Sequence, residues 1–204
     1  MFRILILFFT FFTLGSCSSP EGTWGWYVID PSTKAGWTNI KFLIGGFYST
    51  ILLSIIAAFL SIFIGLVVAL PAMSDNKLLK LFNRVYVEFI RSIPLLPMLF
   101  WVFYGLPVIL KSMGIDANID AFWGAIITLA ISDSAFTAEI YRAGIQSISK
   151  GQTEAAKTIG LNYYQTMRYV IMPQALRRIL PPLANQFIYI VKMSAFASVI
   201  GMQE

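Results

Sequence analysis

Histidine is absent from this 204-residue chain, and cysteine occurs once, at Cys17. That removes the usual zinc and iron ligand sets, imidazole general bases and any intrachain disulfide. Charge is scarce as well, at 12% of residues against 57% hydrophobic. A soluble domain of this size needs more charge to cover its surface, so lipid is the expected solvent. No soluble domain, low-complexity tract or short-period repeat is visible. An enzyme is a poor reading from the start, and no metal site is expected. In a soluble protein the net charge of +5 could hint at nucleic acid. Here the basic residues sit in short gaps between apolar runs, where they set topology, and no nucleic-acid partner is expected.

What the chain does have is a series of long apolar runs. The first is short: Arg3 precedes an apolar core over residues 4–14, and Leu14-Gly15-Ser16-Cys17 follows. This resembles a bacterial lipoprotein signal, cleaved to leave a lipid-modified Cys17; an uncleaved leader is the alternative. Residues 17–41 are polar with Trp24, Trp26, Tyr27 and Trp37, and read as an external segment at the membrane–water boundary. Between Lys41 and Asp75 no charge occurs, and residues 47–70 form a transmembrane helix that Pro71 ends. Lys77, Lys80 and Arg84 then mark the cytoplasmic side.

A second span is expected over about residues 85–110, with Glu88 and Arg91 in its first turns and a kink or break at Pro94 and Pro97. A third covers about residues 121–141, with Asp133 inside it. Glu139 and Arg142, three apart, can pair on one helix face. The fourth begins near Pro181-Pro182 and runs to about Gly201, with Lys192 inside it. The expected architecture is an all-α membrane protein, a polytopic transmembrane helix bundle with about four spans.

Residues 142–178 make the most basic inter-span loop, which places it in the cytoplasm. Ser149-Lys150-Gly151-Gln152 has capping-box spacing, so a short helix should run through Glu154-Ala155-Ala156-Lys157 and stop at Gly160. Asn162-Tyr163-Tyr164-Gln165 repeats the pattern, and a second helix should end near Ile171, because Pro173 disfavours helix at Met172. Ala155 and Ala156 permit close approach by another surface. Two such short helices bury little of their own surface and need a partner or a dock.

Glu154-Ala155-Ala156, Gly160-Leu161 and Ile171-Met172-Pro173 together resemble the EAA loop of ABC-importer permeases. Ala138-Glu139-Ile140-Tyr141-Arg142-Ala143-Gly144-Ile145, Pro173-Gln174-Ala175-Leu176-Arg177, Asn185-Gln186-Phe187 and the stretch from Glu88 to Leu96 resemble the polar amino-acid branch of that family. The likeness extends from about Gly46 to Glu204. It implies a permease in the bacterial inner membrane, working with a second permease of the same or homologous sequence. Two cytoplasmic ATPases would grip the EAA loops, and an external binding protein would deliver the amino acid. ATP would be used by the partner, since this chain has no glycine-rich Lys-Ser/Thr phosphate loop. Against the family pattern, one further span is expected after residue 204, so the reading is of a C-terminally truncated permease. The domain reading is a signal-like segment at 1–16, an external segment at 17–41 and a permease domain at 42–204.

The resemblance assigns Glu154, Ala155, Ala156, Gly160, Leu161 and Pro173 to ATPase coupling. Glu88, Arg91, Glu139 and Arg142 read as structural support near the cytoplasmic boundary. Asp133 and Lys192 are expensive to bury alone. Their depths, counted from Arg142 and Arg178 at about 1.5 Å per residue, differ by less than about 8 Å. They are expected to pair, and a zwitterionic amino acid could compete for them; a purely structural pair is the alternative. An ion-coupled transporter or channel built on the same two residues is a competing function, as is a lipid-anchored structural membrane protein.

Overall fold

The computed structural model describes residues 25–202, apart from Asp75 and Ala117. The signal-like segment, Cys17 and Trp24 lie outside the described residues. Two compact units divide at Gly45.

In the first unit a 3₁₀ turn, Gly25–Ile29, precedes the start of helix α1, Lys34–Met73. The Asp30 carboxylate accepts from the Ser32 backbone N–H at 2.9 Å and from its hydroxyl at 2.7 Å. Those bonds favour the charged form and hold the Asp30 carboxyl below the usual carboxylate range. Asn39 Nδ2 donates to Val28 O, and Lys41 lies 5.7 Å over the Trp37 ring. Helix therefore begins at Lys34, inside the stretch expected to be an external segment.

The second unit holds the rest of α1 and everything after it. Among its described residues the elements are α2 (Lys77–Ser92), α3 (Leu95–Phe100), a π turn (Trp101–Gly105) and α4 (Leu106–Ser112). Then come α5 (Ala121–Gln146), α6 (Lys150–Thr158), α7 (Tyr163–Thr166), a second π turn (Met167–Ile171) and α8 (Met172–Met193). A 3₁₀ turn, Ser194–Ile200, follows. Among the described residues, four helical stretches are long and apolar enough to cross a membrane: Lys34–Met73, Leu95–Ser112, Ala121–Gln146 and Tyr163–Ile200.

Helix α5 is the hub. Its small residues let neighbours approach closely, the usual means of packing helices in lipid, where hydrophobicity gives no drive for helices to associate. A side chain on Gly65 of α1 would sit 2.7 Å from Thr137, and one on Gly144 only 2.3 Å from Ile179 of α8. Toward one end of α5, Ala125, Ile126 and Leu129 pack with Leu53, Leu99 and Ile190. Toward the other, Ala138 and Tyr141 pack with Val68, Val87, Ala175 and Ile179.

Prolines explain where the chain departs from its expected spans. Ile93, ahead of Pro94, is extended (φ −88°, ψ 121°), so α2 stops there. Pro97 falls in the first turn of α3, where no backbone donor is needed. The break expected at these prolines thus falls at Ile93, and Glu88 and Arg91 lie in the last turns of the helix before it. Pro107 and Pro173 each follow a π turn. In both, the residue before proline donates five back, Leu106 to Trp101 O and Met172 to Met167 O. The wider turn removes the ring's clash with the carbonyl four back. The helix expected to stop near Ile171 consequently runs on into α8. Pro181 and Pro182, expected to open the last span, lie inside α8. They free the carbonyls of Arg177 and Arg178, which sit among exposed residues.

Candidate functional site

The loop between α5 and α8 is built by its caps. Gly160 has φ +82°, and its N–H bonds Lys157 O while Leu161 N–H bonds Ala156 O. This pair of bonds closes a helix C-terminus with glycine in the left-handed region. Asn162 and Gln165 form the expected box: Gln165 N–H donates to Asn162 Oδ1 at 2.9 Å, and Asn162 N–H to Gln165 Oε1 at 3.0 Å. The box expected at Ser149 and Gln152 does not form. Ser149 is the N-cap by backbone alone. The Gln152 side chain is engaged elsewhere, accepting from Gln174 Nε2 at 3.0 Å. Arg178 Nη1 donates to Ser147 O at 2.6 Å and ties the root of the loop to α8.

Of the residues assigned to coupling, Ala156 is buried; Glu154, Ala155, Gly160 and Pro173 are exposed, and Leu161 is half-buried. Around them Ile159, Tyr163 and Tyr164 are 75%, 70% and 83% exposed. Large apolar side chains grouped this way mark an interaction surface. Sequence reasoning named the small residues of this loop and missed the aromatic ones. Their bulk, in a loop whose basic residues point to the cytoplasm, was the signal available.

Asp133 is not paired with Lys192. It is buried in the middle of α5 and accepts hydrogen bonds from Ser61 of α1, from Thr137 at 3.1 Å and from Gln186 of α8. Lys192 is exposed. The reason is helical phase: Leu183, Gln186 and Ile190 turn toward Asp133, and Lys192, two residues past buried Ile190, points elsewhere. Depth alone had suggested the pair. Asp133 and Gln186 sit in an otherwise apolar cleft of about 410 Å³ that also includes Ala58, Thr137 and Phe187. Gln186 was missed as a partner because an amide carries no charge.

The four support residues do come together. Arg142 donates from Nε to Glu139 Oε2 at 2.9 Å and makes a second contact to Oε1, the expected i, i+3 ion pair. Its Nη1 also reaches Gln146 Oε1 at 2.7 Å. The Arg91 guanidinium lies 5.0 Å over the Phe136 ring. Arg91, Glu139, Arg142 and Gln146 line a second cleft, of about 420 Å³, with Lys80, Arg84 and Glu88. Two polar contacts, the first buried and the second half-buried, fix α2 beside it: Asn83 Nδ2 donates to Val68 O at 2.7 Å, and Tyr86 Oη pairs with Ser134 Oγ at 2.8 Å.

Residues 61–204 match the family model described as the binding-protein-dependent transport system inner membrane component. The probable glutamine ABC transporter permease GlnM of Bacillus subtilis is 43% identical over 163 residues, which cover 80% of this chain and 73% of that protein. The glutamine transport system permease GlnP of Escherichia coli K12 is 35% identical over 171 residues, 84% of this chain and 76% of that protein. The crystal structure of an amino acid ABC transporter with histidines superposes with a TM-score of 0.74 at 42% identity, covering 82% of this chain and 75% of that one. An inward-facing methionine ABC transporter, at 24% identity and a TM-score of 0.65, shares the fold. A helix bundle hung on α5, with a capped helical loop carrying the EAA pattern, belongs by these matches to the binding-protein-dependent transport system inner membrane components, the membrane-embedded permease family of ABC importers.

Proposed function

We propose that this chain is one of two permeases through which an ATP-driven importer carries polar α-amino acids across the bacterial inner membrane. The observation that carries this is the loop at 147–173. It is capped at its turns, tied to α8 at its root, and exposes Ile159, Tyr163 and Tyr164, which nothing among the described residues covers. A cytoplasmic ATPase covers that surface, with Glu154, Ala155, Ala156, Gly160, Leu161 and Pro173 at the contact. Closure of the ATPases pushes α6, and the tie through Arg178 passes the push to α8. An external binding protein delivers the substrate. The names of the glutamine and amino-acid relatives support an amino acid as cargo.

Asp133 and Gln186 give the path a polar point amid apolar walls. The carboxylate accepts from three neutral donors, and among the described residues no cation pairs with it. A substrate ammonium supplies one when it competes with Gln186, whose side chain has more rotatable bonds than those of Ser61 and Thr137. Lys192 has no part in this step. The ion-coupled alternative needed Asp133 and Lys192 to act together, and it loses that premise.

Reconstitution decides the class. Proteoliposomes holding this chain with its ATPase and binding protein are expected to take up an amino acid with ATP inside and no ion gradient. Uptake that survives ATP depletion and collapses with the gradient would contradict the proposal.

A further inference from the structure

The loop that carries the exposed Ile159, Tyr163 and Tyr164 hangs on two joints. At the first, α5 ends at Gln146 and α6 starts at Lys150. At the second, the π turn Met167–Ile171 enters α8. Backbone bonding is thin at this second joint. Pro173 has no N–H to donate, and Met172 N–H reaches five residues back to Met167 O. Such a joint bends more easily than a regular helix. A push on α6 or α7 is lost in bending there unless side chains brace it.

Two side chains of α8 supply the brace. Gln174 and Arg178, spaced i, i+4, share one face of the helix, while Ala175 and Ile179 beside them are buried in the bundle. Arg178 holds Ser147 O at the first joint. Gln174 spans both joints. Its Nε2 donates to Val170 O, inside the π turn, at 2.8 Å and to Gln152 Oε1, in the first turn of α6, at 3.0 Å. Both hydrogens of that amide are thereby used. A backbone carbonyl can only accept, so the Gln174 NH₂ must face Val170 O, and Gln152 must then present its oxygen. One planar group thus ties the π turn, α8 and α6 together. None of the residues assigned to the ATPase contact takes part in these bonds.

We infer that Gln174 is a positioning residue for transport: its amide latches the first turn of α6 to α8 across the π turn, so that motion of the loop reaches α8 as a rigid displacement. Arg178 anchors the root of the loop, and Gln174 fixes the direction in which the loop stands. With the latch open, closure of the ATPases bends the joint at Met167–Ile171 instead of moving α8. ATP is then still hydrolysed, and fewer amino acids cross for each one used. The inference rests on the importer reading.

The test keeps Gln152→Glu throughout and varies position 174, so that any effect of residue 152 on the ATPase contact is common to the series. Gln174 can donate to the new carboxylate, and Gln174→Lys can donate to it and to Val170 O. Gln174→Glu has no donor and opposes two negative charges. Each chain is reconstituted with its ATPase and binding protein, and uptake from a mixture of labelled amino acids and ATP hydrolysis are read on the same proteoliposomes. Gln152→Glu by itself, and Gln152→Glu with Gln174→Lys, are expected to keep the parent's uptake per ATP. With Gln174→Glu that ratio is expected to fall at least about threefold, the order of one exposed hydrogen bond lost. Hydrogen exchange at residues 150–153 is expected to rise about threefold in that chain only. Equal ratios across the series, or a ratio that falls as far with Gln174→Lys, would overturn the inference. So would exchange at residues 150–153 that is the same whatever stands at 174. A parent chain that takes up no amino acid with ATP, with the exchange contrast intact, would instead bring down the importer reading and leave the latch standing.

Discussion

Helix α5 and the loop that follows it are both helical and both rich in small residues, yet they are stabilised in opposite ways. In α5, Gly124, Ala125, Ala130, Ser134, Ala135 and Ala138 are buried, and neighbouring helices fill the space that larger side chains would take. Most of α6 and α7 is exposed; local bonds at their ends hold them, through Gly160, Asn162 and Gln165. A framework needs contacts within the chain, and a handle keeps its contacts for something else. Alanine serves both ends: at Ala125 it admits a neighbour from the same molecule, and at Ala155 it leaves room for another.

The contrast predicts damage of different kinds. Gly144→Leu should have the largest effect on folding. Its side chain collides with Ile179, and overpacking of this kind costs about 3 kcal/mol or more. Thermal unfolding of the purified permease should show it as a large drop in midpoint. Ile159→Asp combined with Tyr164→Asp should leave that midpoint in place and weaken ATPase association about 100-fold, near 2.7 kcal/mol for two central interface residues. Equilibrium binding in detergent measures this. An unfolding midpoint that fell as far as for Gly144→Leu would erase the distinction between framework and handle.

Smaller changes resolve the caps. Gly160→Ala forces a Cβ into the left-handed region and should cost the loop about 1–2 kcal/mol. Asn162→Ala removes a formed box and should cost about 1 kcal/mol. Ser149→Ala should stay below about 0.5 kcal/mol, since no side-chain bond is lost. Hydrogen exchange at residues 163–166, compared with that at residues 150–153, reads both caps. Equal loss at the two would mean that Ser149 bonds its helix in solution after all.

The sequence revealed the architecture where a single residue type decides it. Pro94 stops a helix, Gly160 reverses the chain, and Asn162 with Gln165 closes a box; each is a local rule that no distant neighbour overrides here. It misled where two local rules competed. Pro173 reads as a stop, but the π turn ahead of it absorbs the ring, and no residue preference announces a π turn. Ser149 and Gln152 have box spacing, but Gln174, twenty-two residues on, takes the amide instead. Lys192 looked like the partner of Asp133 because charge and depth are visible in a sequence and helical phase across two elements is not. Gln186, one face round the same helix, fills the role with an uncharged side chain that no count of charges could single out.

The central claim is that the loop at 147–173 is gripped by an ATPase on the cytoplasmic side. Ala155 is exposed at its centre, so Ala155→Cys in the full transporter can be coupled to the co-expressed ATPase with a short bifunctional thiol reagent in cytoplasmic-face-out vesicles. The account predicts a permease–ATPase adduct whose yield changes when ATP is added. A thiol at this position that reacts only from the external face, with no adduct in either nucleotide state, would contradict it.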